Sequence, residues 1–267
     1  ERVTMTNSTS SYLLLEQGRK IDTESITIHV GGGAVNAAVS LRRLGFDAAV
    51  LSRIGNDLNG AKVRERLAAE KIAADLLIPT PEGATGTAVM ISSHDRNATI
   101  FTCRGANRLL QERDIRAAMF EGADLVYVTA LSDGSADCFP HILKLAKAQG
   151  AYVATNPGIL HLSSRTQAFL DSLAAIDLLT VNEKEASALV PALAASPAAA
   201  MDLPQISGPA DRPGLLRKGL SFGGFDMGLA RFFALVRQLG PGRVLVTDGA
   251  NGAWLADESG LHFCPVL

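Results

Sequence analysis

The sequence predicts an α/β fold: a doubly wound, mostly parallel sheet with helices on both faces, and a small β-structured appendage. Three observations predict it. From residue 124 onward, short apolar runs alternate with stretches of helical periodicity, the pattern of parallel strands buried on both faces. Glycines cluster where a strand gives way to a helix, as at Gly31-Gly32-Gly33. Hydrophobic residues make up 47% of the 267 and charged residues 19%, which is enough apolar surface for one sizeable core in a chain of single-domain length.

Taken in order, the elements follow from local pattern. Residues 12–30 read as extended: Tyr12-Leu13-Leu14-Leu15 is a short apolar run, and Ile26 to Val30 alternates apolar with polar or small residues. After the glycines, Ala34 to Leu44 resumes at helical spacing, with Val35, Val39 and Leu41 on one face and Gly45 as a stop. Ala48 to Leu51 reads as a short buried strand, and the turn Gly55-Asn56-Asp57-Leu58-Asn59-Gly60 leads into a helix from Ala61 to Glu70. Residues 86–103 read as a hairpin, with Thr87–Ile91 and Ala98–Thr102 flanking the polar turn His94–Asn97. Strands are then expected at Asp124–Val128, Tyr152–Thr155, Asp177–Val181, Arg243–Thr247 and Ala253–Ala256. Helices are expected from Asp137 to Ala148, near 165–174 and from Glu183. Residues 192–224 are rich in Ala, Pro, Ser and Gly, with little periodicity beyond Gly214–Leu220, and read as an insertion or mobile loop.

Composition excludes several functions. A formal net charge of -2 supplies no basic face for nucleic acid. Arg42, Arg43, Arg64 and Arg66 recur at helical spacing and read as solvated helix faces. Cys103, Cys138 and Cys264 are far apart and form no C-x-x-C pair, which argues against a disulfide framework or zinc site and for a reducing cytoplasm. No apolar run approaches bilayer length, so no membrane partner is expected. The five histidines are scattered and suggest no catalytic triad.

Four motifs could carry chemistry, each with a plainer reading. In Gly31-Gly32-Gly33-Ala34-Val35-Asn36 the glycines let backbone amides approach a ligand, and the Asn36 amide suits hydroxyls; a tight structural turn is the alternative. Asn182-Glu183-Lys184-Glu185 follows a strand end, where ligands of open α/β sheets bind, but Asn182 and Glu185 also have capping-box spacing. Thr247-Asp248-Gly249-Ala250-Asn251-Gly252 is either a nucleotide shelf or a plain β-turn. Arg104-Gly105-Ala106-Asn107 offers a substrate contact, or a turn with Asn107 capping a helix near Gln111.

The order of these motifs carries more than any one of them. From the strands before Gly31 almost to Leu267, the sequence resembles the ribokinase-like (PfkB) carbohydrate kinase family. The matching residues are Gly31 to Asn36, Leu44-Gly45, Gly55 to Gly60, Thr85-Gly86, Gly105-Ala106-Asn107, Asn156-Pro157, Asn182 to Ala186 and Gly249 to Trp254. The resemblance implies a core of 31–85 and 105–267, and a β-sheet lid of 10–30 and 86–104. It implies transfer of the γ-phosphoryl of ATP, with Mg2+, to a hydroxyl of a sugar or nucleoside. A family member that binds a sugar-like effector without catalysis is the alternative. By the same resemblance, Gly32, Gly33, Asn36 and Asn107 would hold the substrate. Asn182 and Glu185 would serve the phosphates and Mg2+, with Glu185 acting through water, and Thr247, Gly249 and Gly252 would hold the nucleotide. A homodimer through the lid would also fit.

Some family features have no match. The D-T-x-G-A-G-D segment with the catalytic base is expected beyond Leu267, since in the family it follows soon after the last strand pair. The family's first strand is expected ahead of Glu1. Thr129 to Asp133 offers no clear match to the acidic residue of ribose-specific members.

Overall fold

In the computed structural model the chain divides into two compact units, Glu1–Asn107 and Arg108–Leu267. The structure describes residues 3–6, 11–14, 17–18, 20, 22–23, 25–92, 98–200 and 214–266.

The first unit opens with β1 (Val3–Thr6) paired antiparallel to β2 (Ser11–Leu14); Leu15, expected in the same run, lies outside the described residues. The strand expected at Ile26–Val30 does not form, and Ile26 and Ile28 stay exposed. Alternation provides an apolar face, but a strand also needs a neighbour for its N–H and C=O groups. Here β2 pairs with β1, and the next element is a helix. That helix, α1 (Gly33–Arg43), buries Val35 and Ala38, three residues apart on one face.

The strand expected at Ala48–Leu51 is displaced along the chain. β3 (Ser52–Gly55) runs parallel to β4 (Leu77–Thr80), while Ala49 makes only an isolated bridge to Ala73. Val50 is buried all the same, so the apolar run marks entry into the core and the ladder begins after it. α2 (Leu58–Ala69) joins the two strands and starts inside the predicted turn. The cause is Asp57, whose Oδ1 accepts the Gly60 N–H at 2.8 Å and caps the helix. Ile54, Leu67, Ile72 and Leu77 pack with Val35, Ala38 and Val50 as one cluster.

The predicted hairpin is present as β5 (Thr87–Ser92) and β6 (Ala98–Cys103), with Thr87 opposite Cys103; its turn, expected at His94–Asn97, lies outside the described residues. The root of the hairpin is tied to the β3–α2 turn. Asp57 Oδ2 accepts the Thr85 N–H at 2.8 Å and Oδ1 accepts the Thr85 hydroxyl at 2.7 Å. Gly55 N donates to that hydroxyl at 3.0 Å, and Ala106 N donates to the Ala84 carbonyl at 2.7 Å. The Thr85 hydroxyl above all, with the Gly60 and Thr85 amides, holds the Asp57 carboxyl below the usual range. Backbone approach here is too close for side chains. A Cβ on Gly60 would stand 2.3 Å from the Gly55 carbonyl oxygen.

The second unit alternates strand and helix as predicted. Its elements are β7 (Leu125–Val128), α3 (Phe139–Ala148), β8 (Tyr152–Thr155), α4 (Gly158–Ser164), α5 (Thr166–Asp171), β9 (Leu178–Asn182) and α6 (Glu183–Ala195), followed by α7 (Leu215–Lys218), β10 (Leu220–Phe222), β11 (Phe225–Met227), α8 (Leu229–Gln238), β12 (Arg243–Thr247), β13 (Ala253–Asp257) and β14 (Gly260–Cys264). The sheet order is β14-β13-β12-β9-β8-β7. β7, β8, β9 and β12 are parallel, and β13 and β14 are antiparallel additions. Leu179, Val181, Val244 and Val246 are fully buried and the residues between them partly buried, so the central strands are covered on both faces.

Three expectations change. The helix expected near 165–174 is the shorter α5 followed by the 3₁₀ turn Leu173–Ala175, with α4 an additional helix ahead of it, and α3 starts two residues later than predicted behind the 3₁₀ turn Asp133–Cys138. The stretch 192–224 is not irregular throughout. Its first residues finish α6, and 214 onward forms α7 and the small β10–β11 hairpin, with Leu215, Leu220 and Met227 buried. These elements are too short to show periodicity. Residues 201–213 lie outside the described residues.

His161 of α4 is buried with its ring 4.8 Å from Phe139 and 5.7 Å from Phe169, edge-on to both. Burial, with the Arg165 cation adding and Asp137 opposing, lowers its pKa to about 4. The unfolded chain would hold the His161 proton from about 6.5 downward. Between these values the unfolded state binds a proton that the folded state excludes, so stability falls as pH falls.

Two outcomes follow from this packing. Gly60→Ala should destabilise the protein by roughly 1–3 kcal/mol through overpacking. Gly228→Ala, at φ -61° with nothing within 4 Å of the added carbon, should stay within about 0.5 kcal/mol. Urea melts of both variants check the pair, and equal effects would refute the close approach. For His161→Phe, the drop in Tm between pH 7 and pH 5 should be smaller than in the parent protein. An unchanged drop would show that another group titrates.

Candidate functional site

Each unit carries its own set of predicted site residues. In the first, Gly32 is the N-cap of α1 at φ 97°, a conformation suited to glycine, and a Cβ there would meet nothing within 4 Å. The approach to the helix start is open. Gly33 begins the helix, and Asn36 lies one turn in, exposed, with its N–H on the Gly32 carbonyl at 2.9 Å. Asn107 sits on a different element, the 3₁₀ turn Gly105–Leu109 at the hairpin root. Its amide lies against Gly86, where a Cβ would stand 2.6 Å from Nδ2. Asn107 does not cap a helix near Gln111. Gln111 is itself the cap of the short turn Glu112–Asp114, and its N–H donates to Asp114 Oδ2 at 2.9 Å.

In the second unit the predicted residues converge. β9 and β12 are adjacent parallel strands in which Asn182 is the partner of Thr247, so both stand at the carboxyl end of the sheet, where open α/β folds bind ligands. The capping box is formed: Asn182 Oδ1 accepts the Glu185 N–H, and Glu185 Oε2 accepts the Asn182 N–H, each at 2.9 Å. The structural and ligand-facing readings of this motif are compatible, because the cap lies at that same edge.

Glu185 is buried, and Asn156 Nδ2 reaches its Oε2 at 3.4 Å while donating to the Thr180 carbonyl at 2.8 Å. Asn156 was visible in the sequence as the Asn-Pro after β8 but was not named as a site residue. It directly follows β8, a parallel neighbour of β9, with Thr155 opposite Leu179 while β9 runs on to Asn182. Burial, and then the Glu185 carboxylate, raise the pKa of Tyr127 on β7, which sets that phenol in the same neighbourhood.

The turn after β12 is held by Asp248 N to the Gly252 carbonyl at 2.8 Å and Asn251 N to the Asp248 carbonyl at 2.9 Å. Gly249 is exposed at φ 53° with open space around it. Gly252 differs. It is buried, and a Cβ would stand 2.3 Å from the Cys264 carbonyl oxygen, so packing against β14 already accounts for this glycine.

A magnesium ion can be tested against these donors. Among the described residues no group of three or more His, Cys, Asp or Glu is placed to hold a metal. A single buried carboxylate beside two carboxamides suits an ion that keeps waters and takes its other oxygens from phosphates, as Mg2+ does. The residues present fit that ion through water, with Glu185 as the anionic partner. Among the described residues no helix is long and apolar enough to cross a membrane.

Comparison with known proteins identifies a family and a fold. Residues 5–209 match the pfkB family carbohydrate kinase. A nucleoside kinase of Methanothermobacter thermautotrophicus is 30% identical over 138 residues, 51% of this chain and 44% of that protein. A ribokinase of Mus musculus is 32% identical over 105 residues, 39% of this chain and 32% of that protein. The chain thus spans less than half the length of these curated relatives. A ribokinase structure from Thermotoga maritima superposes with a TM-score of 0.68 at 19% identity, covering 94% of this chain and 71% of that one. A putative ribokinase II from E. coli, in complex with ATP and Mg+2, gives 0.68 at 18% identity, covering 94% and 73%. At these identities the two structures establish the ribokinase-like fold.

Proposed function

The chain belongs to the pfkB family of carbohydrate kinases, and on that footing we propose that it is part of an ATP-dependent kinase acting on a hydroxyl of a sugar or nucleoside. The observation that carries the reading is the meeting of Asn182, Glu185 and Thr247 at the carboxyl ends of β9 and β12. Phosphoryl transfer needs positioning and charge neutralisation more than covalent help, and these are the groups to provide them. Thr247 and the exposed backbone of Gly249 would hold the nucleotide, with Gly252 setting the turn's shape. Asn182 and Glu185 would orient the phosphates and the waters of Mg2+, which when bound neutralises charge developing on them. Gly32 and Gly33 would let the acceptor approach the α1 backbone, and Asn36 and Asn107 would bind its hydroxyls. In the reaction an acceptor oxygen bonds to the γ-phosphorus, the bond to the ADP oxygen breaks, and the hydroxyl proton leaves to a base.

The β5–β6 hairpin, with the strands ahead of Gly31, would be the lid. Val89 and Phe101 face each other across its ladder, as do Met90 and Ile100, and all four side chains are exposed. An apolar two-stranded ribbon is marginal in water unless covered, which supports a homodimer through this hairpin. The three free cysteines fit the reducing cytoplasm.

Full-length protein should transfer phosphate from ATP to at least one pentose, hexose or nucleoside in a screen, and silence across all three classes would leave only the effector-binding alternative. Asn36→Ala should raise the acceptor KM by about tenfold, the worth of one lost hydrogen bond, while leaving the KM for ATP alone. An untouched acceptor KM would remove Asn36 from the substrate site. Sedimentation should show a dimer in the parent protein and a monomer in Phe101→Glu; equal masses would refute the lid interface.

A further inference from the structure

The described part of the stretch between α6 and α8 makes two contacts with the candidate nucleotide site. The first is buried. Asp248 lies between Thr247 and Gly249, and its Oδ2 accepts the N–H of Leu215, at the start of α7, at 2.9 Å. Its Oδ1 accepts from Asn251 Nδ2 at 3.3 Å. A buried carboxylate requires such donors, so the turn and α7 fix one another. Gly214 makes the approach feasible: it adopts φ 89°, and a Cβ would stand 2.7 Å from Oδ2.

The second contact is exposed. Lys218, at the end of α7, pairs with Glu183, the residue after Asn182. Glu183 first, and Asp248 more weakly, hold the Lys218 ammonium in its charged form. Because Asn182 and Thr247 are register partners, α7 bridges the carboxyl ends of β9 and β12. The pair's side chains are 69% and 36% exposed, and an ion pair so solvated contributes little by itself. The ammonium is therefore free to exchange Glu183 for an anionic ligand at the same edge.

We propose that α7 is a working part of the nucleotide site: Lys218 binds the phosphates of a nucleoside di- or triphosphate, and Asp248 is the positioning residue that holds the 249–252 turn and α7 together. The proposal rests on the reading of Thr247 to Gly252 as the nucleotide shelf, and the two fail separately. Trp254 is the only tryptophan, fully buried just beyond the turn, and its fluorescence, checked against equilibrium dialysis, is the probe for nucleotide titrations.

Lys218→Met should weaken ATP and ADP binding roughly tenfold or more, the worth of a charge-assisted hydrogen bond, and leave adenosine within about twofold. Glu183→Gln should tighten ATP binding by freeing the ammonium. Asp248→Ala should weaken ATP and adenosine alike, and Asp248→Asn, which keeps an acceptor oxygen for the Leu215 N–H, should recover part of the loss. Gly249→Val tests the shelf itself. If it binds nucleotide as the parent protein does, the shelf reading falls. If it loses nucleotide while Lys218→Met binds normally, or loses ATP and adenosine equally, the role of α7 falls and the shelf stands. Lys218 is exposed, so its variant decides the matter even if Asp248→Ala fails to fold.

Discussion

The parallel pairing of β9 with β12 is the constraint on which the second unit's chemistry depends. Five residues of each strand are in register, from Leu178 beside Arg243 to Asn182 beside Thr247. The apolar alternation favours that register, since Val181 and Val246 are fully buried while Thr180 and Leu245 beside them are only partly so. Once those side chains are seated, the polar residues that end each strand have no choice of position. The site is in this sense a by-product of how the core packs.

The first unit solves a different problem, which is how to attach an exposed hairpin to a small βαβ core. It does so with main-chain groups and one carboxylate. Asp57 caps α2 and also accepts from both donors of Thr85, so one side chain joins the helix start to the hairpin root. Glycines at 55, 60, 86 and 105 allow the strands and turns to come this close. The sequence pattern G-x-D-x-x-G followed by T-G is then a description of one joint, and its letters are not independent.

Much of this was legible from residue order. β8, β9 and β12 appear as apolar runs bounded by turn residues, and the capping box announces α6 by its spacing alone. What failed to show was long-range. The alternation at Ile26–Val30 resembles a strand but has no ladder partner among the described residues. The start of α2 depended on which donor Asp57 would choose. Asp248 and Lys218 were invisible because their partners lie 33 and 35 residues away, beyond any local pattern. Gly252 was read as a ligand contact, yet the Cys264 carbonyl explains it without one. Glycine in a turn marks either a crowded place, as at Gly252, or a left-handed backbone in open space, as at Gly249, and local sequence does not tell the two apart.

The reciprocal bonds of Asn182 and Glu185 have an evolutionary consequence. A helix cap of this kind is worth about 1 kcal/mol to folding, so a descendant that had abandoned catalysis would still be selected to keep both residues. Drift would erase them late, after groups that serve only the ligand. Taken without Thr247 the motif is thus a durable record of ancestry; it is the meeting of the cap with Thr247 at the same sheet edge that bears on activity. Residues without a capping bond, such as Asn36 with its exposed amide, would be lost sooner if the proposed substrate role lapsed.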